Sequence, residues 1–172
     1  MRRAFPLLIL SMAGCSTVQT PETIGVSDVA IANLKRADGT QNGVVTLSQR
    51  TDGLWLNVAA KGLAAGTYGI HLHAVGNCEG PGFTTAGPHW NPANKMHGLE
   101  NPMGSHAGDL PNLVVTSAGM GSVDVEIAGG AWAGAMDADG LSIIIHEKAD
   151  DYATDPSGNS GARVVCGVFT AN

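Results

Sequence analysis

Residues 43–61 read GVVTLSQRTDGLWLNVAAK. Two short β-type runs, Gly43 to Arg50 and Leu54 to Lys61, flank Thr51-Asp52-Gly53. An Asp-Gly turn between two such runs is a hairpin signal. Working outward, Val26 to Lys35 alternates weakly, and Thr67 to Val75 follows the turn-like Gly62 to Gly66. Leu113 to Ser117 and Ser122 to Ala128 pair across Ala118-Gly119-Met120-Gly121. Leu141 to Glu147 is strongly apolar and β-branched, and Arg163 to Phe169 closes the chain. Eight strands without a helical period predict an all-β fold, an antiparallel sandwich or flattened barrel.

The chain has 172 residues, 24 of them Gly, which suits one domain with its own core. Nine Lys and Arg against fifteen Asp and Glu leave a net charge of −6. That balance argues against nonspecific nucleic-acid binding, which needs a basic footprint. The 44% apolar and 14% charged residues also argue against disorder. The start, MRRAFPLLILSMAGCSTVQT, joins a basic Arg2-Arg3 to a short, mostly apolar run from Ala4 to Ala13, too short to span a bilayer. Met12-Ala13-Gly14-Cys15 resembles a bacterial lipoprotein signal, with Met12 where Leu is usual. The alternative is an ordinary cleaved signal with an incidental Cys. The expected organisation is a signal peptide over residues 1–14, a lipid-anchor tether over 15–24 and one domain over 25–172. Such a protein is exported to the periplasm or cell envelope and touches the membrane only through lipid on Cys15. Removing Arg2 and Arg3 takes the net charge to −8. Two cysteines then remain, Cys78 and Cys166, in an oxidising compartment where they most simply form one disulfide. A loop of about 89 residues so closed is worth roughly 4–5 kcal/mol in the chain-entropy account. The alternative is two free buried thiols.

Two connections are too long for plain turns. Residues 76–112 hold seven Gly and five Pro, which no regular element tolerates. A structureless loop of that length is uncommon unless functional. The second runs from Lys148 to Ala162. The histidines, His71, His73, His89, His97, His106 and His146, fall at these strand ends or in the first loop. His71 and His73, at i and i+2 on a strand, put both rings on one face and can chelate one metal. A strand face also carries alternate polar residues, so the pair alone is not diagnostic. His89, His97 and His106 punctuate the loop, and Asp109 follows three residues later, a donor set that suits zinc. A lone His146 reads as a rim residue; the clustering of all six points to a metal.

Ordered segments carry a family resemblance: Gly69-Ile70-His71-Leu72-His73, Ala86-Gly87-Pro88-His89-Trp90-Asn91-Pro92, Lys95-Met96-His97-Gly98, His106-Ala107-Gly108-Asp109-Leu110, His146-Glu147-Lys148-Ala149-Asp150-Asp151 and Gly161-Ala162-Arg163-Val164-Val165-Cys166-Gly167-Val168. Together they resemble copper,zinc superoxide dismutase, particularly its exported bacterial branch, over residues from about 26 to 170. The resemblance implies an eight-stranded antiparallel Greek-key β-barrel with two long functional loops. It implies copper on His71, His73, His89 and His146, and zinc on His89, His97, His106 and Asp109, with His89 bridging. Asp150 resembles a carboxylate that accepts hydrogen bonds from His71 and His97. Cys78 and Cys166 match the family's disulfide.

Arg163 matches the residue beside the open copper position that draws in superoxide; as a plain strand-edge cation it would contribute little. His89 and Arg163 are therefore the expected catalytic residues. The stretch between Asp151 and Arg163 carries only Asp155 as a formal charge and lacks the Glu-Glu…Lys cluster of eukaryotic members. Lys148, Lys61 and Lys95 are candidate substitutes. Family members occur as monomers and as homodimers.

Overall fold

A computed structural model describes Met1 and residues 25–172; the expected cleavage site, Cys15 and the tether lie outside the described residues. Nine strands form one antiparallel sheet: β1 Val26–Lys35, β2 Gln41–Arg50, β3 Gly53–Lys61, β4 Gly66–Tyr68, β5 Ile70–His73, β6 Leu113–Val115, β7 Met120–Glu126, β8 Ser142–His146 and β9 Arg163–Ala171. Their spatial order is β4-β6-β7-β3-β2-β1-β9-β8-β5. The predicted hairpin is β2–β3, in unbroken register from Gly43↔Ala60 to Arg50↔Gly53, with Thr51-Asp52 at its tip. The chain runs from β3 past two strands to β4, then returns through β6 and β7 to pair with β3, which is Greek-key connectivity.

The sequence reading expected eight strands; the ninth comes from a break inside Thr67 to Val75. β4 pairs with β6, whereas β5 pairs with β8. Between them Gly69 donates its N–H to the Lys148 carbonyl at 2.7 Å and accepts from the His146 N–H at 2.8 Å. The chain thus changes neighbours at one residue. β4 and β5 are the two ends of the sheet order, so their continuity at Gly69 nearly closes the sheet into a barrel.

Alternate residues face inward: Ala30, Ala32 and Leu34 on β1, Val45 and Leu47 on β2, Leu54, Leu56, Val58 and Ala60 on β3, all buried. β8 departs from this period. Ile143 and Ile145 enter the main core, while Ile144 packs outward against Phe83, Ala86 and Cys166. A strand covered on both faces reads as a continuous apolar run, hence the consecutive Ile143-Ile144-Ile145. The outer cover is the start of the first long loop, including a 3-10 turn at Thr84–Ala86. It is pinned by the Cys78–Cys166 disulfide, with a sequence separation of 88. The only α-helix among the described residues is the single turn α1, Trp132–Ala135.

Candidate metal centre

β5 is the floor of the centre. Ile70 and Leu72 enter the core, so His71 and His73 share the opposite face; all four are buried. One edge of β5 pairs with β8, bringing His71 opposite Ile144 and Ile70 opposite Ile145. The other edge is met by the first long loop through isolated bridges His71↔Asp109 and His73↔His89. Leu72 N–H donates to Gly108 O at 2.9 Å, and Leu72 O accepts from Trp90 N–H at 2.8 Å. A Cβ on Gly108 would collide with the Leu72 carbonyl, so glycine is required where the loop closes on the strand. This is how residues 88–109 reach β5 without regular structure.

Hydrogen bonds to oxygen acceptors set the ring protons. His71 Nε2 donates to Asp150 Oδ2 at 2.7 Å, His97 Nε2 to Asp150 Oδ1 at 3.1 Å, His73 Nδ1 to Gly87 O at 2.9 Å and His146 Nδ1 to Gly161 O at 3.3 Å. Carboxylates and carbonyls only accept, so these nitrogens carry protons, and on the rings that stay neutral the opposite nitrogens carry lone pairs. Three of those opposite nitrogens, His71 Nδ1, His73 Nε2 and His146 Nε2, are buried with no partner. His71, His73, His89 and His146 offer ligand atoms all within 4.8 Å of one another. Buried unpaired lone pairs on rings gathered this closely are costly unless a cation sits among them.

A second set gathers on Asp109. Its Oδ1 lies 3.0 Å from His89 Nδ1, 3.0 Å from His97 Nδ1 and 3.1 Å from His106 Nδ1. His89 Nδ1 and His106 Nδ1 are 3.4 Å apart. Ligands about 2.0–2.1 Å from a tetrahedral zinc stand about 3.3–3.4 Å from each other, so these separations fit a shared ion. His71, His89, His97 and Asp109 also fall within 4.8 Å of one another, which puts the two sets in direct contact. The His71 and His89 rings stack with centroids 3.9 Å apart.

Burial keeps most of these rings neutral. It is the main reason that His73 is pushed down to about 2, His146 to about 3 and His89 to about 4, and His71 is lowered likewise. Burial also opposes charge on His97, but hydrogen bonds and attraction from Asp109 and Asp150 outweigh it and raise this ring to about 9. Without a cation, a second proton on His97 is what separates its Nδ1 lone pair from the Asp109 carboxylate. Both carboxylates resist burial yet stay far below the usual range: His89, His97 and the Gly98 N–H hold Asp109, and His71, His97 and the Tyr152 N–H hold Asp150. Apart from His97, which must give up that second proton to bind a metal, the centre is a neutral or deprotonated donor set with buried negative charge.

Arg163 opens β9 opposite His146. Its Nη1 donates to Phe83 O and its Nη2 to Gly87 O, both at 2.8 Å. Gly87 O therefore serves both His73 and Arg163. The segment carrying both carbonyls is the one tied to β9 by Cys78–Cys166.

The family profile for copper/zinc superoxide dismutase (SODC) matches residues 41–169. The chain belongs to that family. It is 40% identical over 96% of its length, and 93% of the relative's, to the superoxide dismutase-like protein YojM of Bacillus subtilis. It is also 40% identical to a superoxide dismutase [Cu-Zn] of Caulobacter vibrioides, covering 81% of this chain and 84% of that one. Among solved structures, a double mutant of a SOD-like protein from Bacillus subtilis, with a tyrosine and a proline each replaced by histidine, superposes with a TM-score of 0.76 at 43% identity, covering 80% and 95% of the two chains. The Cu/Zn superoxide dismutase of Brucella abortus superposes at 0.67 and 29% identity, over 83% and 99%.

This family member brings all six histidines, Asp109 and Asp150 into one buried cluster, with Arg163 at its edge. Lys61, Lys95 and Lys148 are exposed. Lys61 pairs with Met120 on a wall that has no strand contact with β5 or β8, and so is no part of the centre. Trp90 is buried and enters the core. Sequence reasoning missed the Gly87 and Phe83 carbonyls, since a backbone acceptor has no residue-type signature. It also missed Asn112 and Tyr152, which grip Asp150.

Proposed function

We propose that this chain is a superoxide dismutase: two superoxide and two protons give dioxygen and hydrogen peroxide. Copper would be held by His71 Nδ1, His73 Nε2, His146 Nε2 and His89, and zinc by His89, His97, His106 and Asp109. Bound copper supplies one-electron redox chemistry, which zinc lacks. The carrying observation is the three orphaned buried ring nitrogens, on histidines that with His89 bring ligand atoms within 4.8 Å of one another.

The remaining steps belong to the protein. His89, with Nδ1 on the Asp109 side, has only Nε2 to offer copper; whenever Nε2 is free of copper it would hold a proton and hand it to the reduced dioxygen. Arg163 uses two donors on carbonyls and keeps the others free to bind an anion. Asp150 fixes the His71 and His97 tautomers, so their lone pairs already face the metal positions. The net charge of −8 expected after processing repels superoxide on average, so local attraction at Arg163 matters.

Metal analysis with a superoxide assay tests the reading. One copper and one zinc per chain with turnover supports it; zinc alone and no turnover after copper loading overturns it. His146→Ala is expected to lower turnover by more than about 100-fold, beyond what loss of an outer-sphere partner costs; full activity would overturn the ligand assignment. A metal-holding member without turnover is the competing reading, favoured by the dismutase-like name of the Bacillus relative. Export and lipid attachment at Cys15 complete the proposal; a Cys15→Ser protein should move from the detergent phase to the aqueous phase.

A further inference from the structure

The two long loops meet at a clasp that contains no proposed ligand. Asn112 lies three residues beyond Asp109, at the end of the first loop. Its Nδ2 donates to Asp150 O at 2.9 Å, and its Oδ1 accepts from the Asp150 N–H at 2.8 Å. One side-chain amide thus holds both main-chain groups of Asp150 as a neighbouring strand would. Tyr152 closes the clasp from the second loop. Its hydroxyl oxygen accepts from the Asn112 N–H at 2.7 Å, and its own N–H donates to Asp150 Oδ1 at 2.7 Å. Its carbonyl accepts from Glu100 N–H at 3.0 Å. Gly98, beside His97, passes so close that a Cβ there would collide with that carbonyl.

Tyr152 therefore touches three segments, and each bears a group of the centre: His97 through residues 98–100, Asp109 through Asn112, and Asp150. It does so with φ at +64°, a conformation that bulky residues rarely adopt. Such a backbone persists only where surrounding contacts over-determine it. Asn112 and Tyr152 are half-buried and donate nothing to a ring nitrogen, so neither is catalytic. What they hold is Asp150, whose two oxygens set His71 and His97 at once.

We propose that Asn112 and Tyr152 are positioning residues that fix the zinc-side donors by holding Asp150 between the loops. The proposal rests on the reading that the Asp109 set takes zinc. If Asp150 pivots, it cannot keep both histidine bonds, and the His97 Nδ1 lone pair leaves its place beside Asp109.

The test uses the full chain loaded with both metals, in Tyr152→Phe and Asn112→Ala. Zinc release to a colorimetric chelator is timed, and the d–d spectrum of Co(II) in the zinc position is recorded. Melting of each metal-free protein is the control for a purely structural role. Zinc release should quicken by about tenfold or more, most in Asn112→Ala, as for other outer partners of metal ligands. The Co(II) bands should shift while metal-free melting stays put. Release within about twofold of the parent with unchanged bands in both variants overturns the proposal. So does faster release matched by an equal loss of metal-free stability. If Asn112→Ala does not fold, Tyr152→Phe decides alone. A parent that holds zinc without turnover refutes the dismutase reading and leaves this one standing; a parent that takes up no zinc refutes both.

Discussion

The wall built from β1, β2, β3 and β7 and the wall built from β5 and β8 are made differently. The first pairs over long registers: without a break, eight residue pairs join β2 to β3 and seven join β3 to β7. Its inward side chains are aliphatic. In the second, β5 has four residues, one true strand partner, and single bridges from a loop along its other edge. Of twelve buried polar residues in the described chain, eight are the six histidines, Asp109 and Asp150 on this side. One wall is ordered by apolar burial and needs nothing further. The other buries lone pairs and carboxylates whose desolvation only a cation offsets well. Metals should therefore stabilise one half of the molecule far more than the other.

Removing them is the largest test of that contrast. A ligand present at about 1,000 times its Kd adds roughly 4 kcal/mol, and a domain of this size melts about 2–4 °C lower per kcal/mol lost. Chelation should lower the Tm by about 10 °C or more on those figures. Hydrogen exchange should quicken across residues 88–109 and 148–162 and stay slow in β2 and β3. Uniform loss of protection would show that the walls are one cooperative unit. The converse is Leu56→Ala, a fully buried β3 side chain. Cavity formation there should cost about 2–5 kcal/mol, read by urea unfolding, while zinc and copper stoichiometry stay unchanged.

Acid separates the walls next. In the metal-free protein His73, His89 and His146 lie well below their ordinary values, mainly through burial. The unfolded chain takes up their protons below about pH 6.5 and the folded chain does not, so their contribution is present above that pH and lost beneath it. His97, raised to about 9, runs the other way: its contribution is present below about pH 6.5 and lost as pH rises through 9. The lowered group outnumbers the raised one. Metal-free stability should fall from pH 7 to pH 5, by up to about 1.4 kcal/mol per pH unit for each unmatched proton. Equal urea midpoints at the two pH values would refute this; the aliphatic wall supplies no such titration.

The same contrast explains what was legible in the sequence. The two β-type runs flanking Thr51-Asp52-Gly53 predicted β2 and β3 to within two residues, because strand residues and an Asp-Gly turn are both written into residue types. Leu141–Ile145 was legible as a strand although it does not alternate, since its outer face is covered as well. The break at Gly69 was not, because Thr67 to Val75 reads as one β-type run around that single glycine and only the exchange of partners divides it. In the centre, histidine clustering announced the donors, and their pairing into two sets came from the resemblance. Main-chain acceptors such as Gly87 O left no trace, and Asn112 reads as one more loop asparagine.

Arg163 lies on the seam between the two walls and gives the finest test. It is anchored in β9, across from His146, yet both of its hydrogen bonds go to loop carbonyls. The guanidinium fork can satisfy Phe83 O and Gly87 O together and still present a donor to an anion, whereas an ammonium on a flexible stem is a point charge without that geometry. Arg163→Lys keeps the charge and removes the fork. On the proposed ligand set, the histidines and Asp109, metal content and Tm should match the parent. Attraction for superoxide should persist, so the fall of kcat/KM with rising ionic strength should keep its slope. The value itself should drop by about tenfold, the loss of roughly 1.4 kcal/mol expected when one charge-assisted orientation is lost. If Arg163→Lys instead flattens the salt dependence, or releases copper, the residue belongs to the metal-holding wall, and the anion must be guided by charges elsewhere on the rim.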